Sequence, residues 1–174
     1  VADEATTFIL IPMSQLWHKQ KNPIHALAPL AGFTTSPFRR LCLSYGADVV
    51  YTELASVAGL TYAPAKTLSL VASARDEKPL IIQLFGAEPK QFATATKLLM
   101  DVKKCQKYEK NYRLPAGIDI NFGCPVAKVI KQGAGSALFQ DLKRSHEVIS
   151  SVLANTNLPV SIKIRSGAGQ VDCL

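Results

Sequence analysis

Residues 78–104 read KPLIIQLFGAEPKQFATATKLLMDVKK, and this stretch decides the fold class. It opens with a short apolar run, residues 80–85, which directly follows Pro79 and has the length and composition of a buried strand. Over residues 89–104 the apolar side chains recur at helical spacing, which predicts a helix with one apolar face. A buried strand followed by an amphipathic helix is the unit from which parallel sheets are built.

The same unit repeats on both sides of this stretch. Short runs rich in β-forming residues alternate with helical patterns, and five strands are predicted, over residues 24–28, 48–52, 80–85, 118–122 and 160–164. The alternation favours a parallel sheet with crossover helices and agrees with the first five units of a (β/α)8 barrel.

Two further helices have recognisable ends. One spans residues 36–46, with Ser36 as N-cap, proline at the first helical position and a glycine at the end. Its apolar face is predicted to be Phe38, Leu41, Cys42 and Tyr45. The other spans residues 141–154 and has Asp141 as its N-cap. Residues 55–75 are predicted to be a loop followed by a helix, and residues 105–115 a solvated loop.

Composition excludes several classes of protein. Apolar residues make up 48% and charged residues 19% of the 174-residue chain, so the sequence encodes a packed core and not a disordered tail. A net charge of +7 leaves a phosphate-bearing partner open. No apolar run reaches the roughly 18 residues of a membrane span. The four cysteines form no C-x-x-C pair and the three histidines have no metal-ligand spacing, so we expect no metal site and a reducing, cytoplasmic location.

Polar residues collect where the predicted strands end. In a βα-barrel the active face is formed by the carboxyl ends of the strands and by the loops that follow them. Those places are residues 28–32, 51–53, 83–86, 121–125 and 163–165. Because side chains alternate along a strand, Asp119 and Asn121 are expected to point the same way, as are Lys163 and Arg165.

Five ordered strings identify a family. LAPLAGFTTSPFRRLC, GADVVYTELAS, IIQLFGAEP, DINFGCPVAKVIKQGAGSAL and VSIKIRSG span nearly the whole chain from Ala28 onward. In this order they resemble the tRNA-dihydrouridine synthase family. The resemblance implies an FMN-containing TIM barrel with a C-terminal helical tRNA-binding domain, which reduces the C5=C6 bond of particular uridines in tRNA with electrons from NADPH.

The resemblance also implies roles for individual residues. Cys124 matches the family's proton donor. Asn121 matches a residue that faces cofactor and substrate, and Lys128 and Arg165 fit cations placed near the RNA. The implied cofactor-binding residues are Pro29, Leu30 and Ala31 along the flavin, Gln83 at the flavin ring edge and Lys163 as the cation beside the ring.

The residue types suit this chemistry. The C5=C6 bond of uracil is conjugated to the C4 carbonyl, so hydride should arrive at C6 while an acid supplies a proton at C5. A free thiol ionises near pH ~8.5 and is mostly protonated at neutral pH, which fits Cys124 as the acid. A lysine such as Lys163 would stabilise the negative charge of a reduced flavin.

Chain length sets the expected domain organisation. A TIM barrel takes ~250 residues, and only five of its eight strands are found here. We therefore expect an N-terminal extension over residues 1–22 and a partial FMN-binding barrel over residues 23–174. The last barrel strands, their phosphate site and the helical tRNA-binding domain are expected to be absent from this sequence.

Structural alternatives accompany several of these roles. Cys124 could be a small buried hydrophobe, and Gln83 a polar residue satisfied by neighbouring backbone. Glu53 could pair with a nearby arginine, and Arg39 and Arg40 are expected to be solvated charges. The residue 133–135 segment, GAG, is interpreted as an ordinary flexible loop and not as a nucleotide-binding loop.

Two rival functions also stay open. One is an FMN barrel that acts on a free small molecule, as dihydroorotate dehydrogenase does. The other is a truncated, non-catalytic chain that acts as an RNA-binding or interaction piece.

Overall fold

The computed structural model describes residues 23–168 and 171–172. Its main feature is one parallel sheet of five strands, whose order in the sheet is their order in the chain. The strands are β1 Ala26–Leu27, β2 Val49–Ser56, β3 Leu80–Phe85, β4 Gly117–Asn121 and β5 Val160–Lys163. Because crossovers between parallel strands are right-handed, a sheet in sequential order carries its helices on one face. This is the first part of a (β/α)8 barrel, and the predicted fold class is confirmed.

Helices and short turns connect the strands. The helices are α1 Ser36–Ser44, α2 Val57–Tyr62, α3 Pro64–Leu68, α4 Pro89–Met100, α5 Val102–Gln106, α6 Ala127–Ile130 and α7 Leu142–Leu153. Two 3₁₀ segments, Ser69–Val71 and Gly135–Gln140, and an antiparallel pair, β6 Gly167–Ala168 with β7 Val171–Asp172, complete the description. The predicted extension over residues 1–22 lies outside the described residues.

Alternation along the strands separates an apolar face from a polar one. Ile82, Leu84, Ile118 and Ile120 are buried in one core with side chains of α4 and α7. Their neighbours in sequence point to the opposite face of the sheet, as the two-residue period of a strand requires. That opposite face is the barrel interior, and it carries the polar residues of β3 and β4.

Several predicted element boundaries differ from the structure, and residues 55–75, predicted as a loop and one helix, hold the end of β2, the helices α2 and α3 and a 3₁₀ turn. The predicted helix over residues 89–104 is two helices, because Asp101 leaves helical geometry at φ −94° and ψ 84° and its side chain accepts from the Lys104 N–H as the N-cap of α5. Strand β2 continues to Ser56, four residues beyond its predicted end. Its ladder with β3 resumes at Leu54, opposite Gln83, after a register shift.

The predicted apolar face of the first helix is wrong. Phe38, Leu41 and Tyr45 are 38%, 52% and 85% exposed, and Cys42 is only half-buried. The buried side chain of α1 is Arg39, which is 1% exposed. Its partners come from loops distant in sequence, so the apolar spacing within the helix could not reveal which face is buried.

Candidate functional site

A chain of side-chain hydrogen bonds runs across the ends of β3 and β4. Gln83 Nε2 donates to Asp119 Oδ2 at 2.5 Å, and Asn121 Nδ2 donates to Gln83 Oε1 at 2.9 Å. Asn121 Oδ1 accepts the backbone N–H groups of Gly123 at 3.1 Å and Cys124 at 2.8 Å. The chain therefore links the interior of the barrel to the loop that carries the thiol. Asp119 and Asn121 point the same way, as predicted.

Asp119 is a carboxylate buried inside the barrel, 1% exposed. Its Oδ1 accepts from Ser161 Oγ at 2.7 Å, so each carboxylate oxygen has a donor. Burial raises the pKa of Asp119 to about 6, although the bonds from Ser161 and Gln83 and the nearby Lys163 cation pull it down. Burial, and then the negative charge of Asp119, raise the pKa of Tyr51 to about 12.

Gln83 is fully buried, and its partners are mainly side chains. Its backbone N–H donates to Thr52 Oγ1 at 3.2 Å, while its amide group contacts Asp119 and Asn121. The interpretation that backbone satisfies the Gln83 side chain does not hold, because both amide ends are held by side chains on β4.

The loop after β4 presents Cys124 half-buried beside a glycine. Gly135 has φ +62°, and a Cβ at that position would lie 2.7 Å from the carbonyl oxygen of Cys124. That carbonyl accepts the Ser136 N–H at 3.1 Å. Position 135 therefore requires glycine, because only glycine combines this backbone conformation with so close an approach, and this requirement was not predicted from the sequence.

The loop after β1, residues 28–35, is held by a hydroxyl and a carboxylate. Thr34 Oγ1 accepts the Leu30 N–H at 3.1 Å and donates to the Leu30 carbonyl at 3.0 Å. Glu53 Oε2, from within β2, accepts the Gly32 N–H at 2.5 Å. The Glu53 carboxylate therefore holds this loop through a backbone N–H, and its partner differs from the predicted arginine.

Arg39 anchors the same loop from beneath and is not a solvated charge. It donates to Glu77 Oε2 at 2.5 Å, to the Thr34 carbonyl at 2.6 Å and to the Ala72 carbonyl at 2.7 Å. The Arg39 and Glu77 side chains are 1% and 0% exposed. Glu77 also accepts from Ser36 Oγ, so the Ser36 hydroxyl binds a distant carboxylate and does not act as an N-cap.

Arg40, the next residue, forms an exposed ion pair with Asp76 at 2.8 Å. The Asp76 pKa is lowered, chiefly by the hydrogen bond from Arg40. The prediction that Arg40 is a solvated charge is therefore confirmed, but the sequence did not indicate its ion pair with Asp76.

A cavity of about 450 Å³ opens between the two edge strands of the sheet. Pro29, from the loop after β1, and Lys163, from the end of β5, line it together with Tyr51, Asp119 and Ser161. Lys163 lies opposite Asn121 in the ladder of β4 and β5. The structure therefore brings Pro29, Lys163 and Asp119, the inner end of the hydrogen-bond chain, around one space.

The other predicted site residues lie farther out. Leu30 is 51% exposed and Ala31 is exposed on the loop after β1. Lys128 is exposed on α6, and Arg165 is exposed just beyond β5. These side chains surround the carboxyl end of the strands without sharing the hydrogen-bonded core of the site.

Sequence reasoning missed the roles of Asp119, Ser161 and Gly135. The alternation of Asp119 with Asn121 was the available signal for Asp119. Ser161 is its partner in the neighbouring strand, which becomes visible only when the register is known. Among residues 23–168 and 171–172, no three His, Cys, Asp or Glu side chains gather as metal ligands. None of the helices in that described part is long and apolar enough to cross a bilayer.

Comparison with known proteins gives a consistent result. Residues 26–172 match the family model described as dihydrouridine synthase. The chain is 34% identical over 145 residues to a probable tRNA-dihydrouridine synthase of Treponema pallidum and 38% identical over 144 residues to one of Aquifex aeolicus. It is 36% identical over 141 residues to tRNA-dihydrouridine synthase B of Xanthomonas axonopodis pv. citri. These alignments cover 80%, 81% and 81% of this chain, but only 40%, 42% and 39% of the respective relatives.

Proposed function

The chain belongs to the dihydrouridine synthase family, and on that premise we propose that the full-length protein reduces the C5=C6 bond of uridines in tRNA to give dihydrouridine. The observation that carries the proposal is the site itself. Asn121 holds the backbone of the half-buried Cys124, and its partner in the strand ladder is Lys163, a cation that lines the cavity. The chain spans about two-fifths of the length of the curated relatives it matches, so substrate and partners are part of the proposal.

The residues around the cavity fit FMN as the cofactor. About 450 Å³ lies within the usual range of small-molecule sites. Pro29, Leu30 and Ala31 form a loop whose backbone is fixed by Thr34 and Glu53, so it offers a preformed surface for a planar ring. Lys163 offers a positive charge at the cavity wall. When bound, reduced FMN supplies a hydride for C6 of the uracil, and NADPH supplies the electrons that reduce FMN.

Gln83 contributes from behind this surface. One hydrogen on its amide nitrogen is used by Asp119, and the second is the group that could meet a flavin ring edge. Gln83 has no exposed area, so a hydrogen bond from its amide to a flavin would require the side chains that cover it to move. The Gln83 oxygen accepts from Asn121 and so holds this residue, which faces cofactor and substrate in this proposal.

Cys124 is the proton donor to C5. Its thiol follows β4 at the carboxyl edge, and two constraints set its backbone: the N–H bond to Asn121 Oδ1 and the contact with Gly135. A protonated thiol at this edge can deliver its proton to a base that has left the RNA stack. The exposed Lys128 and Arg165 would meet RNA phosphates near the same edge, and the net charge of +7 agrees with a tRNA partner.

The decisive experiment compares two cysteine variants of the full-length gene product. Cys124→Ala should lower dihydrouridine formation in tRNA, with NADPH and FMN present, by about 10²–10⁴-fold, the usual contribution of a general acid. Cys42→Ala is the matched control, because Cys42 is also half-buried but lies on α1. Equal rates for Cys124→Ala and the parent would overturn the assignment of the proton donor.

Two simpler measurements separate the rival functions. FMN absorbance that copurifies with the protein argues against a non-catalytic chain, and a colourless protein that does not bind added FMN argues for one. Reduction of free uracil or orotate without any tRNA would instead point to a small-molecule reductase of the same fold.

A further inference from the structure

The hydrogen-bond chain from Asp119 to Cys124 has a single direction. Backbone N–H groups can only donate, so the Asn121 oxygen must face Gly123 and Cys124. The Asn121 nitrogen then faces Gln83, which must present its oxygen. The Gln83 nitrogen is left facing residue 119, so that position has to hold an acceptor.

Asp119 meets this requirement from the inside of the barrel. Three strands present groups to its carboxylate: Tyr51 from β2, Gln83 from β3, and Ser161 and Lys163 from β5. Ser161 and Gln83 donate to separate oxygens, Lys163 acts through its positive charge, and Tyr51 contributes an uncharged phenol whose own pKa is raised by burial and by Asp119. Only the bond from Gln83 continues toward the thiol.

The geometry points to Asp119 as a positioning residue, which fixes the orientations of the Gln83 and Asn121 amides and thereby the backbone that carries Cys124. This inference rests on the proposed function, in which Cys124 is the proton donor. Asp119 itself lies two hydrogen-bonding side chains away from the Cys124 backbone and does not need to touch the substrate. Without its acceptor, either amide can turn over, and an Asn121 that turns over offers N–H groups to the N–H groups of Gly123 and Cys124.

The first test measures amide hydrogen exchange of Gly123 and Cys124 by NMR on the 174-residue chain. Asp119→Leu removes the acceptor at similar volume and should speed their exchange about tenfold relative to amides of α7, the reference for global opening. Asp119→Asn keeps an oxygen for Gln83 and a nitrogen for Ser161, so it should restore parental exchange. Ser161→Ala, the matched control, removes the other partner of Asp119 and should leave both amides protected.

A second test reverses the direction of the hydrogen-bond chain, and it tests the role of Asp119 even if Asp119→Leu fails to fold. Asn121→Asp still accepts from the two backbone N–H groups but turns the Gln83 oxygen toward the Asp119 carboxylate. Adding Asp119→Asn supplies a donor there, so the double variant should be better protected at residues 123 and 124 than Asn121→Asp alone.

Two results would overturn the role of Asp119. One is parental exchange of the Gly123 and Cys124 amides in Asp119→Leu. The other is a double variant no better protected than Asn121→Asp. Neither measurement uses flavin or tRNA, so a failure of the proposed function, seen as absent FMN binding or absent uridine reduction, would be recognised separately.

Discussion

Removing the arginine of the buried ion pair between Arg39 and Glu77 should cost much of the stability of the fold. Arg39→Met keeps the apolar stem but leaves the Glu77 carboxylate buried without its cation, and the carbonyls of Thr34 and Ala72 lose their donor. Breaking a buried pair on one side typically costs about 3–5 kcal/mol. Since whole domains are stable by about 5–15 kcal/mol, this would be a major loss.

The adjacent ion pair provides a matched control. Arg40 and Asp76 join the same helix to the same loop, but their side chains are 54% and 59% exposed, against 1% and 0% for Arg39 and Glu77. Exposed pairs contribute little because water solvates both charges before and after folding. Arg40→Met should therefore leave the urea midpoint close to that of the parent.

The assay is urea unfolding at pH 7 followed by far-ultraviolet circular dichroism. With a slope of about 1–3 kcal/mol per molar urea, Arg39→Met should lower the midpoint by roughly 1–5 M. The double variant Arg39→Met, Glu77→Met should recover part of the loss, because no charge stays buried, while the Thr34 and Ala72 carbonyls and the Ala74 N–H still lack their partners. Equal midpoints for Arg39→Met and Arg40→Met, or no recovery in the double variant, would refute the reasoning.

Three further predictions concern the site. Gly135→Ala should lower the free energy of unfolding by more than Gly133→Ala. A left-handed backbone costs either alanine about 1–2 kcal/mol, but only at position 135 would the added Cβ lie 2.7 Å from a backbone oxygen. Equal urea midpoints would contradict this. Burial raises the pKa of Asp119 from 3.8 to about 6, so the folded state holds the proton more tightly than the unfolded one, and stability falls as pH rises from about 4 to about 6. Asp119→Asn should escape this loss, gaining on the order of 3 kcal/mol over the parent across that window, and parallel stability curves from pH 4 to 7 would argue against it. Lys163→Gln should weaken FMN binding by the full-length protein about tenfold in fluorescence titration, whereas Lys97→Gln on the outer helix α4 should not; identical affinities would remove Lys163 from the cofactor site.

The fold was predictable because its signals are local. Strand β3 has its predicted bounds, since Pro79 and Gly86 flank a continuous apolar run. The Asp141 side chain accepts from the Arg144 N–H, and α7 therefore begins where the predicted N-cap places it. Such interactions lie within a few residues, where sequence spacing determines geometry.

The errors within the site fall mainly where the partner is distant in sequence, whereas the break at Asp101 is local. Arg39 binds Glu77, 38 residues along the chain, and no periodicity within α1 distinguishes it from the exposed Arg40. The bond between Gln83 and Asp119 joins residues 36 apart and depends on the register of two strands. A motif shows which residue types are present, whereas their partners follow from the tertiary fold.

The hydrogen-bond inventory of the site also restricts what it can bind. Asn121 accepts two backbone N–H groups, which uses both lone pairs of its oxygen, and gives one of its two amide hydrogens to Gln83. What remains on Asn121 is a single donor. Lys163, opposite it in the ladder, can only donate. These two donors favour a ligand edge of acceptors, and the carbonyl oxygens of a uracil or flavin ring would provide such an edge. The direction of the hydrogen-bond chain creates this preference for acceptors. The orientation of the two buried amides, Gln83 and Asn121, would therefore influence which ligand binds as much as the identity of the exposed residues.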